Sequence, residues 1–377
     1  MKHLNLLVFC LFLMVQALTA QNARLSQVGS APMQFNPALT GRFDGMVRLN
    51  SLYGHHRSNI SVMQHQYVGA DIKLGKYRNN GDDEPPTSNP NAKPTPEGKD
   101  KLKPGKAGGY WAAGLSYYHY GDPKSPLKAS FYSASVARHF YNKSNKYFGF
   151  GVQATYAEGT LNENNGVNYD WEISGGGFHY PKQGSVAQNK VGNNNYVDFN
   201  AGGYYGMVTD AVAFELGGAM YHLFYPRNDV RGQDDETKLR HRITAYSTLR
   251  LRLNDKWGIV QKNMYWQEGM FIRSTTPKDT NDRQIVAFWS GLDFVKVNPL
   301  KKYNINFGMY TRSFRTIMPV INANLGHWGA LRYSYEHPLN SKKFTAYTAK
   351  RHEVALSLTY KRYTSPGVKF YKKINFW

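Results

Sequence analysis

Cysteine is the scarcest residue of this chain: there is one in 377 residues, Cys10, and it lies in an apolar run near the N-terminus. Lys2 precedes the run from Leu6 to Val15, and Ala17-Leu18-Thr19-Ala20 with Gln21-Asn22 follows it, a pattern that reads as a secretory signal peptide cut after Ala20. A lipoprotein cleavage at Cys10 is the alternative. With the leader removed after Ala20 no thiol remains, which excludes disulfides, thiolate zinc sites and cysteine nucleophiles. Long apolar runs are also missing. After residue 20 nothing approaches the roughly 20 apolar residues of a membrane-crossing helix, and the mean hydropathy of -0.57 is too polar for a helical membrane bundle. Acidic residues are few, 26 Asp and Glu against 47 Lys and Arg. Such an excess of cations suits nucleic acid or an anionic surface. The export signal argues against nucleic acid, and the charges fall in loops and at strand ends, so anionic lipid headgroups or an acidic protein partner fit better.

Aromatics and glycine, by contrast, are abundant: 28 Tyr, 20 Phe, 7 Trp and 35 Gly. A disordered chain does not carry so many rings, whereas a transmembrane β-barrel does, because it confines its apolarity to alternate residues. Alternation recurs along the chain. Phe148, Phe150, Val152, Ala154 and Tyr156 alternate with Gly149, Gly151, Gln153 and Thr155; Leu331, Tyr333 and Tyr335 alternate with Arg332 and Ser334. The pattern predicts an all-β, antiparallel, outer-membrane-type barrel of about fourteen strands. Its strands are expected at 46-53, 61-74, 110-118, 131-140, 147-157, 197-207, 213-223, 243-253, 257-266, 284-297, 303-311, 316-325, 330-335 and 353-360.

A soluble sandwich would alternate in the same way, so the loops decide. With both termini periplasmic, the connections 141-146, 208-212, 254-256, 298-302 and 326-329 are short, and 158-196, 224-242, 267-283 and 336-352 on the other side are long, the asymmetry of an outer-membrane barrel. The Pro- and Lys-rich stretch 75-109 departs from that rule. It reads as a mobile insertion that the strand count puts on the periplasmic side, either an interaction arm or the sign of a miscounted hairpin. Residues 21-45 would form an N-terminal periplasmic or plug segment and 361-377 a basic tail. The polar face of the strands carries Asp198, Asn200, Glu215, Thr244, Thr248, Arg250, Arg252, Arg332, Ser334 and Glu353. These are the candidate lumen residues, and mutual pairing would leave a largely plugged interior; an open pore is the rival.

No constellation for chemistry emerges. The twelve histidines include the adjacent His55-His56, which a strand sends to opposite faces, and no spacing matches a zinc or iron motif. Ser334 and His352 are close in the chain and can be weighed as a barrel hydrolase dyad, but Ser334 reads better as facing a filled lumen and His352 as the start of a strand. Nucleotide and dinucleotide loops are absent. The Ser174-Gly175-Gly176-Gly177 run reads as surface loop, and Arg240-His241-Arg242 as an anchor where a strand meets headgroups. No catalytic residue, cofactor or metal is expected.

Three stretches carry a family resemblance. Ser26-Gln27 followed by Asn36-Pro37-Ala38-Leu39-Thr40-Gly41 resembles the opening of the PorP/SprF family of type IX secretion and gliding proteins of Bacteroidetes. Tyr333-Ser334-Tyr335-Glu336 with His352-Glu353 is similar to that family's ending, although Glu336 stands where an Asp is usual. Lys238 to Arg242 ahead of Ala245-Tyr246 looks like its basic segment. Physically, Asn36-Pro37 favours an extended-to-turn junction and Gly41 a turn before the first strand. The resemblance implies a non-enzymatic outer-membrane component that anchors a periplasmic ring lipoprotein and its partner or an OmpA-like peptidoglycan-binding protein. In the SprF-like branch the partner would instead be one secreted adhesin, and a porin-like channel is a further alternative.

Overall fold

The computed structural model describes residues 28-43, 45-57, 62-74, 108-121, 127-142, 145-161, 194-209, 212-226, 238-252, 264-275, 285-297, 302-312, 316-325, 329-339 and 350-360. Fourteen antiparallel strands run in chain order around a closed barrel, each paired with its sequence neighbours and the last with the first. They are β1 Val47–Arg57, β2 Val62–Leu74, β3 Gly108–Gly121, β4 Leu127–Tyr141, β5 Lys146–Leu161, β6 Asn194–Val208, β7 Val212–Tyr221, β8 Arg242–Arg252, β9 Met264–Thr275, β10 Ile285–Val297, β11 Lys302–Arg312, β12 Thr316–Asn324, β13 Gly329–Pro338 and β14 Lys350–Tyr360. Closure pairs Val47 with Tyr360 and Arg57 with Lys350, so neither edge is left with unpaired backbone. Strands of nine to sixteen residues suffice to cross a hydrocarbon core at the usual tilt.

The period-two pattern sorts the side chains as alternation requires. Leu115, Val152, Val197, Phe150 and Leu216 all stand exposed on the outer wall. Their neighbours Ser116, Gln153, Asp198 and Glu215 are buried inside. An inverted distribution of this kind, apolar side chains outside and charged ones within, suits lipid as the external solvent. No helix among the described residues is long and apolar enough to cross a membrane; the crossing is made by strands.

One strand departs from expectation. The ninth lies at Met264–Thr275 and not at 257-266, so the connections on either side are 253-263 and 276-284 instead of a three-residue turn and a long loop. Residues 257-263 lie outside the described residues. The reason for the shift is tertiary: Phe271 points inward, and its ring meets Phe35 edge-on at 5.3 Å, so an apolar residue occupies a lumen position of β9 while Glu268 takes an outward one. The alternation of that strand is therefore blurred in the sequence. The expected leader at 1-20, most of the 75-109 insertion, the core of the 158-196 loop and the tail 361-377 also lie outside the described residues. The ends that flank the insertion, Leu74 and Gly108, stand on the rim that carries Val47 and Tyr360.

Candidate functional site in the barrel lumen

Residues 28-43 precede β1 and are folded back into the barrel. A 3-10 turn at Val28–Ser30, one helical turn at Pro32–Phe35 and a second 3-10 turn at Pro37–Leu39 follow one another. The sequence sets this local course. Pro32 and Pro37 occupy first-turn positions, where a missing N–H costs nothing. Asn36 between them ends the first turn and caps the second, its Oδ1 accepting from the Ala38 N–H at 2.8 Å. The same side chain reaches the wall, where Nδ2 donates to the carbonyls of Gly203 at 3.0 Å and Gly218 at 3.1 Å. Gly41 has φ +74°, and a Cβ there would lie 2.2 Å from that of Ala112, so conformation and close approach both require glycine.

The wall is shaped to this segment. A Cβ at Gly151 would fall 2.6 Å from the Pro37 carbonyl, and one at Gly202 would fall 2.1 Å from Asn36 Oδ1. Apolar side chains of the segment, Met33, Phe35 and Leu39, join Tyr67, Tyr147, Tyr204, Tyr246, Phe271 and Trp289 of the wall in one core cluster. Backbone groups of the segment find wall partners as well. Gln153 donates to the Met33 carbonyl at 3.2 Å, Tyr221 to that of Gln34 at 3.0 Å and Thr244 to that of Phe35 at 2.9 Å. Thr40 donates to Ser135 Oγ at 2.8 Å, and Tyr110 to the Gly41 carbonyl at 3.1 Å. His139 Nε2 lies 2.7 Å from the Thr40 carbonyl, and its Nδ1 faces the Tyr204 hydroxyl. A carbonyl only accepts, so Nε2 carries the proton and Nδ1 accepts from Tyr204.

Two buried ion pairs flank these contacts. Arg42 Nη2 sits 2.6 Å from Glu215 Oε2, with both side chains almost wholly removed from solvent. Glu215 also accepts from Tyr147 at 3.0 Å and Tyr246 at 3.0 Å, and the Arg42 guanidinium lies 4.7 Å over the Tyr147 ring. Asp71 accepts from Arg48 at 2.9 and 2.6 Å in a fork, and from the Gly41 N–H at 2.7 Å. Lys73 Nζ donates to the Phe43 carbonyl at 2.6 Å. Each carboxylate thus has several donors, the condition under which a buried charge is tolerated. With Ser30 Oγ accepting from Arg332 at 3.3 Å on β13, residues 30-43 hold side chains or backbone of β1 through β9 and of β13.

Among the expected lumen residues, Asp198, Glu215 and Arg250 are buried inside, while Arg332 reaches Ser30. The side chain of Arg252 lies outside the described residues. Asp198 meets His222 Nδ1 at 3.0 Å. Strand parity would turn His222 outward, but its backbone is left-handed, φ +62°, and rotates the ring inward. Burial lowers its pKa, and the nearby Asp198 carboxylate opposes the shift without cancelling it. Arg242, expected at the headgroups, instead lies 4.1 Å over the lumen-facing ring of Tyr221. The reason is parity: Arg242 shares the inward face of β8 with Thr244.

The C-terminal signature divides between the two faces of the wall. Tyr333, Tyr335 and His352 face outward, with the Tyr333 hydroxyl 2.9 Å from His352 Nδ1 and the Tyr335 ring 4.7 Å from the His352 ring. Ser334, Glu336 and Glu353 face inward, and Arg351 Nη1 stands 3.6 Å from Glu336 and 3.7 Å from Glu353. Ser334 and His352 are therefore on opposite sides of the sheet and cannot form a dyad. As lumen residues, Arg42, Arg48, Asp71, His139, Tyr147 and Tyr246 escaped sequence reasoning. For those on strands the only signal was parity, as for Asp71, a charge between the apolar Ala70 and Ile72, and Arg42 ahead of β1 had not even that.

A search of curated proteins returns no match. Among solved structures the chain is similar to the toluene transporter TbuX of Ralstonia pickettii, with a TM-score of 0.44 and 10% identity over 91% of this chain and 96% of that one. It is also similar to BamA of Haemophilus ducreyi lacking POTRA domains 1-3, with a TM-score of 0.41 and 11% identity over 84% of this chain and 71% of that one. For the P. putida toluene transporter TodX the TM-score is 0.39 and the identity 11%, over 87% and 93%. At such scores no function is carried over. The family model for type IX secretion system membrane protein PorP/SprF, however, matches residues 17-358, which takes in both the lumen segment and the barrel, and the chain therefore belongs to the PorP/SprF family of type IX secretion system membrane proteins, as an outer-membrane β-barrel.

Proposed function

We propose that this barrel works as an outer-membrane anchor of the type IX secretion machinery, with no chemistry and no steady conduction of its own. The observation that carries the reading is the lumen segment, which the Asn36 to Arg42 stretch fastens to most of the wall by buried hydrogen bonds and the Arg42–Glu215 pair. An open porin would gain nothing from such a built-in occlusion. A hydrolase would need its nucleophile and base on one face, whereas Ser334 and His352 take opposite ones. Partner binding then falls to the rims. The rim of Val47 and Tyr360, which carries the described ends that flank the 75-107 insertion and precede the 361-377 tail, is the one we assign to a periplasmic ring lipoprotein with its partner or to an OmpA-like peptidoglycan-binding protein.

The test is a crosslinked pull-down from outer membranes of the native host, with full-length protein beside variants lacking residues 76-106 or 362-377. Capture of periplasmic components that is lost in either deletion, with the barrel still folded, is the expected result. Unchanged capture in both would overturn the assignment, and recovery of a single secreted adhesin would move the docking surface to the opposite rim. Planar-bilayer recordings supply a second check: steady conductance from the full-length protein would refute the anchor reading in favour of a channel.

A further inference from the structure

The outer wall is not uniform. On β4 and β5 the adjacent outward positions Ala134 and Ala154 are small, and they form the floor of a groove of about 790 Å³ bordered by Leu115 and Phe199, whose lining also takes in Ala70 and Ala113. Cross-strand register fixes the arrangement. Ala134 stands beside Leu115 on one side and Ala154 on the other, and the row below it is Ile72, Ala113, Val136 and Val152. A smooth floor a few residues wide, flanked by bulky side chains, is the relief that receives a single extended hydrocarbon chain.

The two ends of the groove differ in chemistry. Toward the rim that carries the termini, the next outward row is Leu74, Trp111, Arg138 and Phe150. Arg138 is a cation on a lipid-facing wall. Its guanidinium lies 5.2 Å over the Trp111 ring and 5.1 Å over the Phe140 ring, and it has no carboxylate partner among the described residues. Toward the other rim the groove ends at a ladder of outward rings, Tyr117, Tyr132 and Tyr156, with centroids 5.1 and 6.4 Å apart. From Arg138 to Tyr132 is six residues of one strand, about 20 Å at the usual rise. At the roughly 40° tilt of such barrels that becomes about 15 Å along the bilayer normal, half of a ~30 Å hydrocarbon core and hence the depth of one leaflet.

We propose that this wall holds one phospholipid of the inner leaflet, its phosphate on Arg138 and one acyl chain in the alanine groove as far as the tyrosine ladder. Arg138 is three residues from the end of β4 on the rim with the termini, the periplasmic side, where the leaflet is phospholipid. A guanidinium clamped against two rings presents its remaining N–H groups in a fixed plane, which suits a phosphodiester. The site is independent of the lumen and shares with the anchor reading only the assignment of this rim to the periplasm.

The experiment uses the full-length protein extracted from outer membranes in mild detergent and analysed by native mass spectrometry, then delipidated and titrated with phosphatidylglycerol. Arg138→Gln removes the phosphate partner, Ala134→Phe fills the groove, and Leu331→Phe on the opposite wall is the control. Barrel integrity is read for each from heat-modifiable gel mobility. One retained phospholipid in the wild type and the control, with rebinding weakened at least tenfold in Arg138→Gln and Ala134→Phe, is expected. Equal retention in all four proteins would overturn the site, as would retention of lipid A in place of phospholipid. Should Ala134→Phe not fold, Arg138→Gln decides alone.

Discussion

Removing the Glu215 carboxylate isolates what the lumen segment contributes. In Glu215→Ala the buried Arg42 guanidinium loses its 2.6 Å partner, and the Tyr147 and Tyr246 hydroxyls lose their acceptor. Leaving one member of a buried pair behind costs about 3-5 kcal/mol. The penalty acts on docking of the segment more than on strand pairing, because the β7 ladder with β6 and β8 stays hydrogen-bonded. Docking can be read with a thiol probe. The chain has one cysteine, Cys10, so Ala38→Cys in a Cys10→Ala background, at a fully buried position, gives a single thiol whose maleimide labelling requires the segment to open. Every 1.4 kcal/mol is tenfold in the open population, so Glu215→Ala should accelerate labelling roughly a hundred- to several-thousand-fold. Replacing both partners, Arg42→Met with Glu215→Leu, removes the stranded charge and should return the rate to within about tenfold of the parent. Labelling that changes less than threefold in Glu215→Ala, or a double variant as fast as the single, would refute the view that this pair holds the segment in the lumen.

Three further outcomes test other parts of the reading. Gly202→Val places a branched side chain where a Cβ already falls 2.1 Å from Asn36 Oδ1, so the segment must shift at a cost of about 1-3 kcal/mol or more, seen as faster protease cleavage between residues 28 and 43 in a barrel of unchanged gel mobility. Deleting residues 28-43 should convert a silent barrel into one that conducts in planar bilayers; silence in a deletion variant shown to be folded would mean that other groups occlude the lumen. His222 is largely buried, and its pKa lies below the ordinary value near 6.5, mainly through desolvation, with Asp198 opposing and Arg242 and His241 reinforcing. The folded state then binds fewer protons than the unfolded one, so the order of the 222-226 turn is fully present above pH 6.5 and declines as pH falls below it. The hydrogen-exchange protection factor at Leu223, whose N–H bonds the Phe199 carbonyl at 3.0 Å, should fall on acidification, and His222→Asn, which tolerates the left-handed backbone, should flatten that dependence.

Much of the architecture was determined by the sequence alone, because a β-strand sends successive side chains to opposite faces and a barrel in lipid makes those faces chemically opposite. Alternation put Phe148, Phe150, Val152 and Tyr156 on one face and Asp198, Glu215 and Ser334 on the reverse one, and the short and long connections made lipid the solvent of the first. Strand number and order follow from that periodicity, since each strand pairs with its neighbours in the chain. Part of the local course of Asn36 to Gly41 was legible as well, through the extended-to-turn junction at Asn36-Pro37 and the turn at Gly41, which has a positive φ. Tertiary structure alone decided the partners. Asn36 bonds residues 167 and 182 positions away, and Arg42 meets a glutamate 173 positions away, separations over which no sequence periodicity extends. The same long-range packing displaced β9, where Phe271 takes a lumen position because Phe35 is there to meet it. A rule based on lipid outside and polarity inside fails where the interior contains folded protein instead of water, and that is what the segment ahead of β1 provides.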